Sequence, residues 1–248
     1  MVTVLAGQKK KSFILHRKVL CENSRFFRKA LSGPWQESEE GLVTLAEIDA
    51  MSLKAYVSWV YSHKLDRSIL LYGSEASELL SDSEISTICE KASRGVSQRD
   101  SISTERREQS ECVILVDRLA RLWCHGDFLG DHRFQNAVMD ELGNEIGGTH
   151  RSSSYVSLGT FRFLTDSTLP TCPLRKFFID WLSNPTIPEK IQEAVEYGHV
   201  PNWLLAGLLR NSVPKAGTNI DSGNYHLMNV EDGLNTSDEG DESVEHED

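Results

Sequence analysis

The feature that most constrains the fold is a short strand-like pattern at the N-terminus. Val2, Val4 and Ala6 alternate with other side chains, Gly7-Gln8-Lys9 has the composition of a turn, and Phe13-Ile14-Leu15 resumes an apolar strand. This pattern predicts a β-hairpin over residues 2–15. Helical patterns dominate the chain after the hairpin, so the fold class predicted from the sequence is α+β.

Helix and strand signals follow the hairpin closely. Ser24 is a suitable N-cap for a short helix that runs through Phe27 to Leu31. Residues 42–45, Leu-Val-Thr-Leu, read as a third short strand, and Asp49 is the expected N-cap of the next helix. In that helix the apolar residues fall at i, i+3, i+4 and i+7; they are Leu53, Tyr56, Val57 and Val60.

Only helical patterns occur in the second half of the chain. Apolar stripes begin at Leu115, Phe134, Leu174 and Leu204, and Pro173 stands where the third of these helices should open. Pro188 is a further possible helix start. These patterns predict an α-helical lobe after the α+β lobe.

Two segments have compositions that do not favour a core. Residues 73–111 contain ten Ser, mixed charges and no aromatic residue, and residues 212–248 are polar and increasingly acidic. Such segments bury too little apolar area to offset their chain entropy. We therefore expect a disordered Ser-rich insert at 73–111 and a disordered acidic tail at 212–248, which leaves ordered parts at 1–72, 112–146 and 147–211.

Charge is unevenly distributed along the chain. The formal net charge is −11; residues 231–248 hold nine acids and no Lys or Arg, whereas residues 1–30 hold eight Lys or Arg and one acid. The basic residues, which include Lys9-Lys10-Lys11, are interpreted first as a solvated hairpin tip. Two alternatives are a phosphate-binding patch and a contact with the acidic tail. Because no aromatic residue alternates with the lysines, nucleic acid is not expected as a partner.

Several missing signals place the chain inside the cell, in the cytoplasm or nucleus. No apolar run approaches the roughly 20 residues of a membrane helix, and the N-terminus is not a secretory signal. The five Cys, at 21, 89, 112, 124 and 172, are odd in number and form no Cys-x-x-Cys pair. This usage is typical of reduced thiols.

No catalytic motif stands out, so neither an enzyme activity nor a cofactor is predicted. Cys112, Cys124, His125 and His132 have ligand types that zinc accepts. However, neighbours on a helix point about 100° apart, so Cys124 and His125 read better as a buried thiol and an exposed imidazole. Cys21, five residues from His16, is interpreted as a core thiol rather than a nucleophile. A metal protein or thiol enzyme is kept as the third functional hypothesis.

Trp35 is the most informative single residue. It follows Gly33-Pro34 and precedes Gln36 and Glu37 in what the sequence predicts to be a loop. It either packs on its own lobe or is the anchor of a binding site, since Trp is enriched among interface residues that dominate binding energy. Glu37 would add a polar contact.

The order of these residues resembles the BTB/POZ domain. In that family a strand leads into His and then a helix that ends at Ser-x-Phe-Phe, and this chain has His16, Leu20, Ser24, Phe26 and Phe27 in those places. The likeness continues through Trp35-Gln36-Glu37-Ser38, the strand at 42–45, Asp49 and Trp59-Val60-Tyr61-Ser62. Residues 113–146 are similar to the closing helices of the domain. The whole layout, including Pro173-Leu174-Arg175, resembles single-BTB proteins of filamentous fungi.

The resemblance implies a non-enzymatic protein–protein interaction module. Such domains pair with themselves, with other BTB domains, or with a cullin scaffold as substrate adaptors of ubiquitin ligases. A hydrophobic-x-Glu motif before the third strand is associated with cullin binding, which gives Trp35 and Glu37, with Tyr61, the role of partner-binding residues. The client protein would then bind residues 147–211. The alternative is a self-associating scaffold or transcriptional regulator without a ligase.

Overall fold

The structure is a computed structural model that describes residues 1–72, 101–147, 156–183, 200–211 and 221–227. Three strands form one sheet, with bounds β1 (Val2–Ala6), β2 (Lys11–Leu15) and β3 (Leu42–Leu45). The central strand β1 pairs antiparallel with β2 and parallel with β3. The predicted hairpin is therefore confirmed. Its turn starts at Gly7, whose φ of +68° glycine adopts without a side-chain penalty.

Five helices surround the sheet in the N-terminal lobe: α1 (Arg17–Asn23), α2 (Arg25–Ser32), α3 (Gln36–Glu40), α4 (Ala50–Ser62) and α5 (Arg67–Tyr72). Both predicted N-caps are confirmed. The Ser24 hydroxyl accepts the Phe27 N–H at 3.1 Å, and Asp49 accepts the Ser52 N–H at 2.9 Å. Each cap satisfies an amide that the first helical turn leaves without a partner.

The remaining described elements are helical: α6 (Ser101–Leu129), α7 (His132–Gly147), α8 (Leu158–Ser167), α9 (Pro173–Leu182), α10 (Asn202–Asn211) and a 3₁₀ turn at Ser222–Tyr225. Pro173 occupies the first turn of α9, as predicted. The fold class, an α+β lobe followed by helices, is also confirmed. The predicted helix start at Pro188 lies outside the described residues.

The structure differs from the predicted disorder at two places. Helix α6 begins at Ser101, so the last eleven residues of the predicted insert are helical. They belong to the same helix as the buried residue Val113. Residues 221–227, inside the predicted acidic tail, are also placed, because Tyr225 is buried against the helices. The rest of both segments lies outside the described residues.

One continuous apolar core joins the two lobes. Leu20 and Phe27 are fully buried in the N-terminal lobe, and Tyr56 of α4 meets Phe134 of α7 edge-on at 5.0 Å. The sheet lobe therefore does not have a separate core, and its helices are positioned by α6 and α7.

Among the described residues, every helix is too short or too polar to cross a membrane.

Candidate functional site

Trp35 lies at the N-cap position of α3 and is 58% exposed. Its indole folds back over Gly33, where an added Cβ would fall 2.3 Å from Nε1. Gly33 therefore leaves the space that sets the ring orientation, while more than half of the side chain faces solvent. Exposed area of this kind is what a partner protein can bury.

Glu37 lies in a single helical turn and not in the loop that the sequence predicts. Helix α3 places Glu37 and Glu39 in its first turn, where carboxylates favour the helix N-terminus. The turn ends at Gly41, whose φ of +63° leads directly into β3. Glu37 is exposed, so its carboxylate is available to a partner beside the Trp35 indole.

Tyr61 comes from the last turn of α4 and is 47% exposed. Its oxygen accepts the backbone N–H of His16 at 3.1 Å, and its hydroxyl lies 2.8 Å from His16 Nδ1. The two rings meet edge-on at 5.9 Å. These contacts hold the C-terminal end of α4 against the start of α1.

Arg17 connects this pair to the Trp35 region. Its guanidinium donates to the Leu31 carbonyl and, at 2.8 Å, to the Ser38 hydroxyl, which itself donates to the Leu31 carbonyl at 2.7 Å. Arg17 therefore fixes α3 to α1 and α2. The sequence offered Arg17 only as one of several basic residues, and no local pattern indicates its role.

We use the name Trp35–Tyr61 surface for five exposed residues at the starts of α1 and α3 and the end of α4, which the His16–Tyr61 and Arg17–Ser38 contacts connect: His16, Arg17, Trp35, Glu37 and Tyr61. It presents an indole, a phenol, one cation and one carboxylate. This combination of aromatic area with a polar rim is characteristic of protein–protein interfaces.

The other signature residues support the lobe from inside. Leu20 and Phe27 are fully buried, and Ser24 is the cap of α2. Phe26 is only half-buried and lies 5.0 Å from the ring of Phe128, which is 49% exposed. Phe26 therefore packs against the edge of the core, as its apolar character predicts, and also forms a surface pair with Phe128.

A buried polar network locks α4 onto the helical lobe. Ser24 donates to the Leu129 carbonyl at 2.7 Å, and the Tyr56 hydroxyl donates to Asp131 at 3.0 Å. Asp131 also accepts the Phe134 N–H at 2.9 Å. Burial raises the pKa of the Asp131 carboxyl, against the opposing effect of these donors. Burial and the neighbouring carboxylate together raise the pKa of Tyr56.

Burial opposes ionisation of the four cysteine thiols among the described residues. Burial raises the pKa of Cys21, Cys112 and Cys172, and raises that of Cys124 to about 12. A reactive thiol requires the opposite shift. Within the described ranges, no three His, Cys, Asp or Glu side chains are arranged to hold a metal ion.

The basic residues of the N-terminal lobe are used partly within the lobe. Arg28 Nε donates to the Cys21 carbonyl at 3.0 Å, as Arg17 does to Leu31. Lys18 lies 3.8 Å from Glu22 on the same exposed helix face. These three cations are tied to local oxygens, which does not favour a phosphate-binding patch on α1 and α2.

Comparison with known proteins gives one family match, which covers the N-terminal lobe. Residues 2–94 match the family model of the BTB/POZ domain. The matched range contains the sheet, helices α1 to α5 and the Trp35–Tyr61 surface, and it ends before α6. No curated protein matches the chain.

Proposed function

From the premise of a BTB/POZ domain, a class that generally mediates protein–protein interaction and oligomerisation, we propose that this chain is a substrate adaptor of a cullin-based ubiquitin ligase. The Trp35–Tyr61 surface binds the N-terminal region of the cullin. A client protein binds the helical lobe. The adaptor works in the cytoplasm or nucleus.

The exposure of Trp35 is the observation that carries this proposal. The Trp35 indole is 58% exposed, so it retains a large apolar area that its own lobe does not cover. Trp is enriched among residues that dominate binding energy, and truncating such an anchor costs about 2 kcal/mol or more. That corresponds to a roughly 30-fold weaker Kd.

The polar groups around the indole support the same role. Glu37 is in the same exposed helical turn, and Tyr61 keeps almost half of its surface free while it bonds to His16. Because Arg17 holds α3 in place, the indole and the carboxylate are presented in a fixed geometry. Fixed side chains lose less entropy when they bind.

The test is calorimetric titration of the full chain with the N-terminal region of a BTB-binding cullin. Trp35→Ala and Glu37→Lys should each weaken binding by at least tenfold. Glu39→Lys is a matched control, because it places the same charge change in the same helical turn. Leu169→Ala, at a residue 74% exposed on the helical lobe, should leave the Kd unchanged. No binding by the folded wild-type chain would refute the adaptor role.

A self-associating scaffold or transcriptional regulator is the second candidate. The Phe26–Phe128 pair favours it, because two aromatic rings 5.0 Å apart stand partly open to solvent. Sedimentation of the wild-type chain and of Phe128→Ser distinguishes the two candidates. A dimer that Phe128→Ser dissociates, in a chain that does not bind cullin, would establish the scaffold. The likeness to single-BTB fungal proteins stays a prediction.

A further inference from the structure

A short segment of the tail lies in a groove between α7 and α9, where it makes aromatic contacts and hydrogen bonds. Residues 221–227, here the docked segment, have the sequence Asp-Ser-Gly-Asn-Tyr-His-Leu. Helix α7 faces the segment with Asn136, Asp140 and Gly143, which share one helix face by their spacing of four and three. Helix α9 contributes Phe177 and Asp180.

Tyr225 is the anchor of the docked segment. It is 7% exposed, and its ring meets Phe177 edge-on at 5.3 Å. Its hydroxyl donates to Asp180 Oδ2 at 2.7 Å, while Asn211 at the end of α10 donates to Oδ1 at 2.9 Å. Asn211 therefore holds one oxygen of Asp180 while the other accepts the phenol.

Asn136 recognises the segment through its backbone. The side-chain amide donates to the Leu227 carbonyl at 2.9 Å and accepts the Leu227 N–H at 2.7 Å. A two-point bond to the backbone N–H and C=O of one residue is independent of the side chain that the peptide carries there. It recognises the backbone two residues after the anchor, through the same N–H and C=O groups that a partner strand would use.

Asp140 completes the groove at its rim. The same oxygen, Oδ1, accepts from Ser222 at 2.7 Å and lies 2.8 Å from His226 Nε2. Gly143 lies beneath Ser222. A Cβ on Gly143 would lie 3.0 Å from Ser222 Cβ, so the glycine leaves room for the segment. Polar, exposed contacts of this kind are replaceable by water when the segment leaves.

From this geometry we propose that the groove between α7 and α9 is a peptide-binding site for a partner segment with an unmodified tyrosine, and that the docked segment occupies it in cis. One buried aromatic anchor with backbone hydrogen bonds beside it is the usual plan of linear-motif recognition. The carboxylate of Asp180 specifies the free phenol, because a phosphate on the tyrosine would meet a like charge. The site shares no residue with the Trp35–Tyr61 surface, so the inference does not depend on cullin binding.

Tethering explains why the chain's own segment occupies the groove. Nine residues, 212–220, join it to Asn211. A short tether gives an effective concentration on the order of 1 mM, so a peptide with a Kd of about 100 µM should bind roughly tenfold more weakly while the cis segment competes. A partner with several contacts, or one at high local concentration, displaces the segment.

The experiment measures peptide binding in trans by fluorescence anisotropy. The probe is a labelled synthetic peptide with the sequence of residues 221–227, added to the full-length wild type, Tyr225→Ala and Asn224→Ala. Tyr225→Ala removes the cis anchor, whereas Asn224→Ala changes an exposed neighbour. We expect Tyr225→Ala to bind the peptide about tenfold more tightly than the other two proteins.

Two further arms test specificity. Adding Asn136→Ala to Tyr225→Ala should abolish binding, and the phosphotyrosine form of the peptide should not bind Tyr225→Ala. Circular dichroism of each variant confirms that it is folded. No binding by folded Tyr225→Ala, or equal binding by this variant and wild type, would overturn the proposal, and the segment would then be a structural part of the lobe. Equal binding of the phosphopeptide would overturn the assignment to unmodified tyrosine.

Discussion

The buried bond between Tyr56 and Asp131 makes a quantitative prediction about stability. Tyr56 is 1% exposed and Asp131 is 3% exposed, so water does not replace the Tyr56 hydroxyl as a hydrogen-bond donor when that hydroxyl is removed. In Tyr56→Phe the ring keeps its edge-on contact with Phe134, and only the hydroxyl is lost. A hydrogen bond to a charged group contributes about 1.5–3 kcal/mol, and we expect the free energy of unfolding to fall by that amount.

Helix α4 supplies a matched control in Tyr61→Phe. The same atom is removed from the same residue type, but Tyr61 is 47% exposed and its bond to His16 is open to solvent. The expected change is below about 0.5 kcal/mol. Urea unfolding followed by circular dichroism, at a pH of about 7.5, measures both variants with their m values.

Either of two results would refute this reasoning. If Tyr56→Phe lies within about 0.5 kcal/mol of wild type, the hydroxyl is not a net stabiliser of the buried carboxylate. If both variants lose equal stability, burial does not decide the strength of these bonds. A changed m value in Tyr56→Phe would point instead to a lobe that has separated from α6 and α7.

Three further outcomes are expected. Burial holds the pKa of Asp131 above its ordinary value. The stability that protonated Asp131 contributes is therefore present at acidic pH and is lost as pH rises through the raised pKa. Urea titrations over that pH range should show wild type losing stability relative to Asp131→Asn. Arg175→Met should lower the free energy of unfolding by about 2 kcal/mol or more, because it leaves the Leu164 and Thr165 carbonyls without the guanidinium donor. Arg162→Met, at an exposed arginine, should lower it little in the same assay. Cys124, whose pKa burial raises to about 12, should resist a thiol reagent in the folded chain and react only after unfolding in urea; rapid labelling of the native protein would contradict its burial.

Local signals predict the N-terminal lobe and the start of α9 well because these elements carry their own boundaries. Gly7 begins the hairpin turn, Ser24 and Asp49 cap helices with their own side chains, and Pro173 begins α9. In each case the interaction that fixes the element joins residues no more than three positions apart. A single sequence contains that information.

Long-range contacts account for what the sequence does not predict. Residues 221–227 read as part of a polar tail, and contacts with distant residues, among them Asn136, Asp140 and Asp180, fix their position. The Trp35 and Glu37 positions follow from the resemblance, but their fixed geometry depends on Arg17, whose partners are 14 and 21 residues away. No spacing rule indicates such pairs.

The network of Ser24, Tyr56 and Asp131 also sets an order of events during synthesis on the ribosome. Tyr56 and its acceptor are 75 residues apart, and Ser24 is 105 residues from Leu129. At about 5–20 residues per second, the Tyr56 hydroxyl waits roughly 4–15 s for Asp131 to be made. During that interval the face of α4 that later packs against α7 has no partner in the nascent chain. A fragment cut at the end of the matched range would lack these partners, so we expect stable expression of the domain to need the chain through α7.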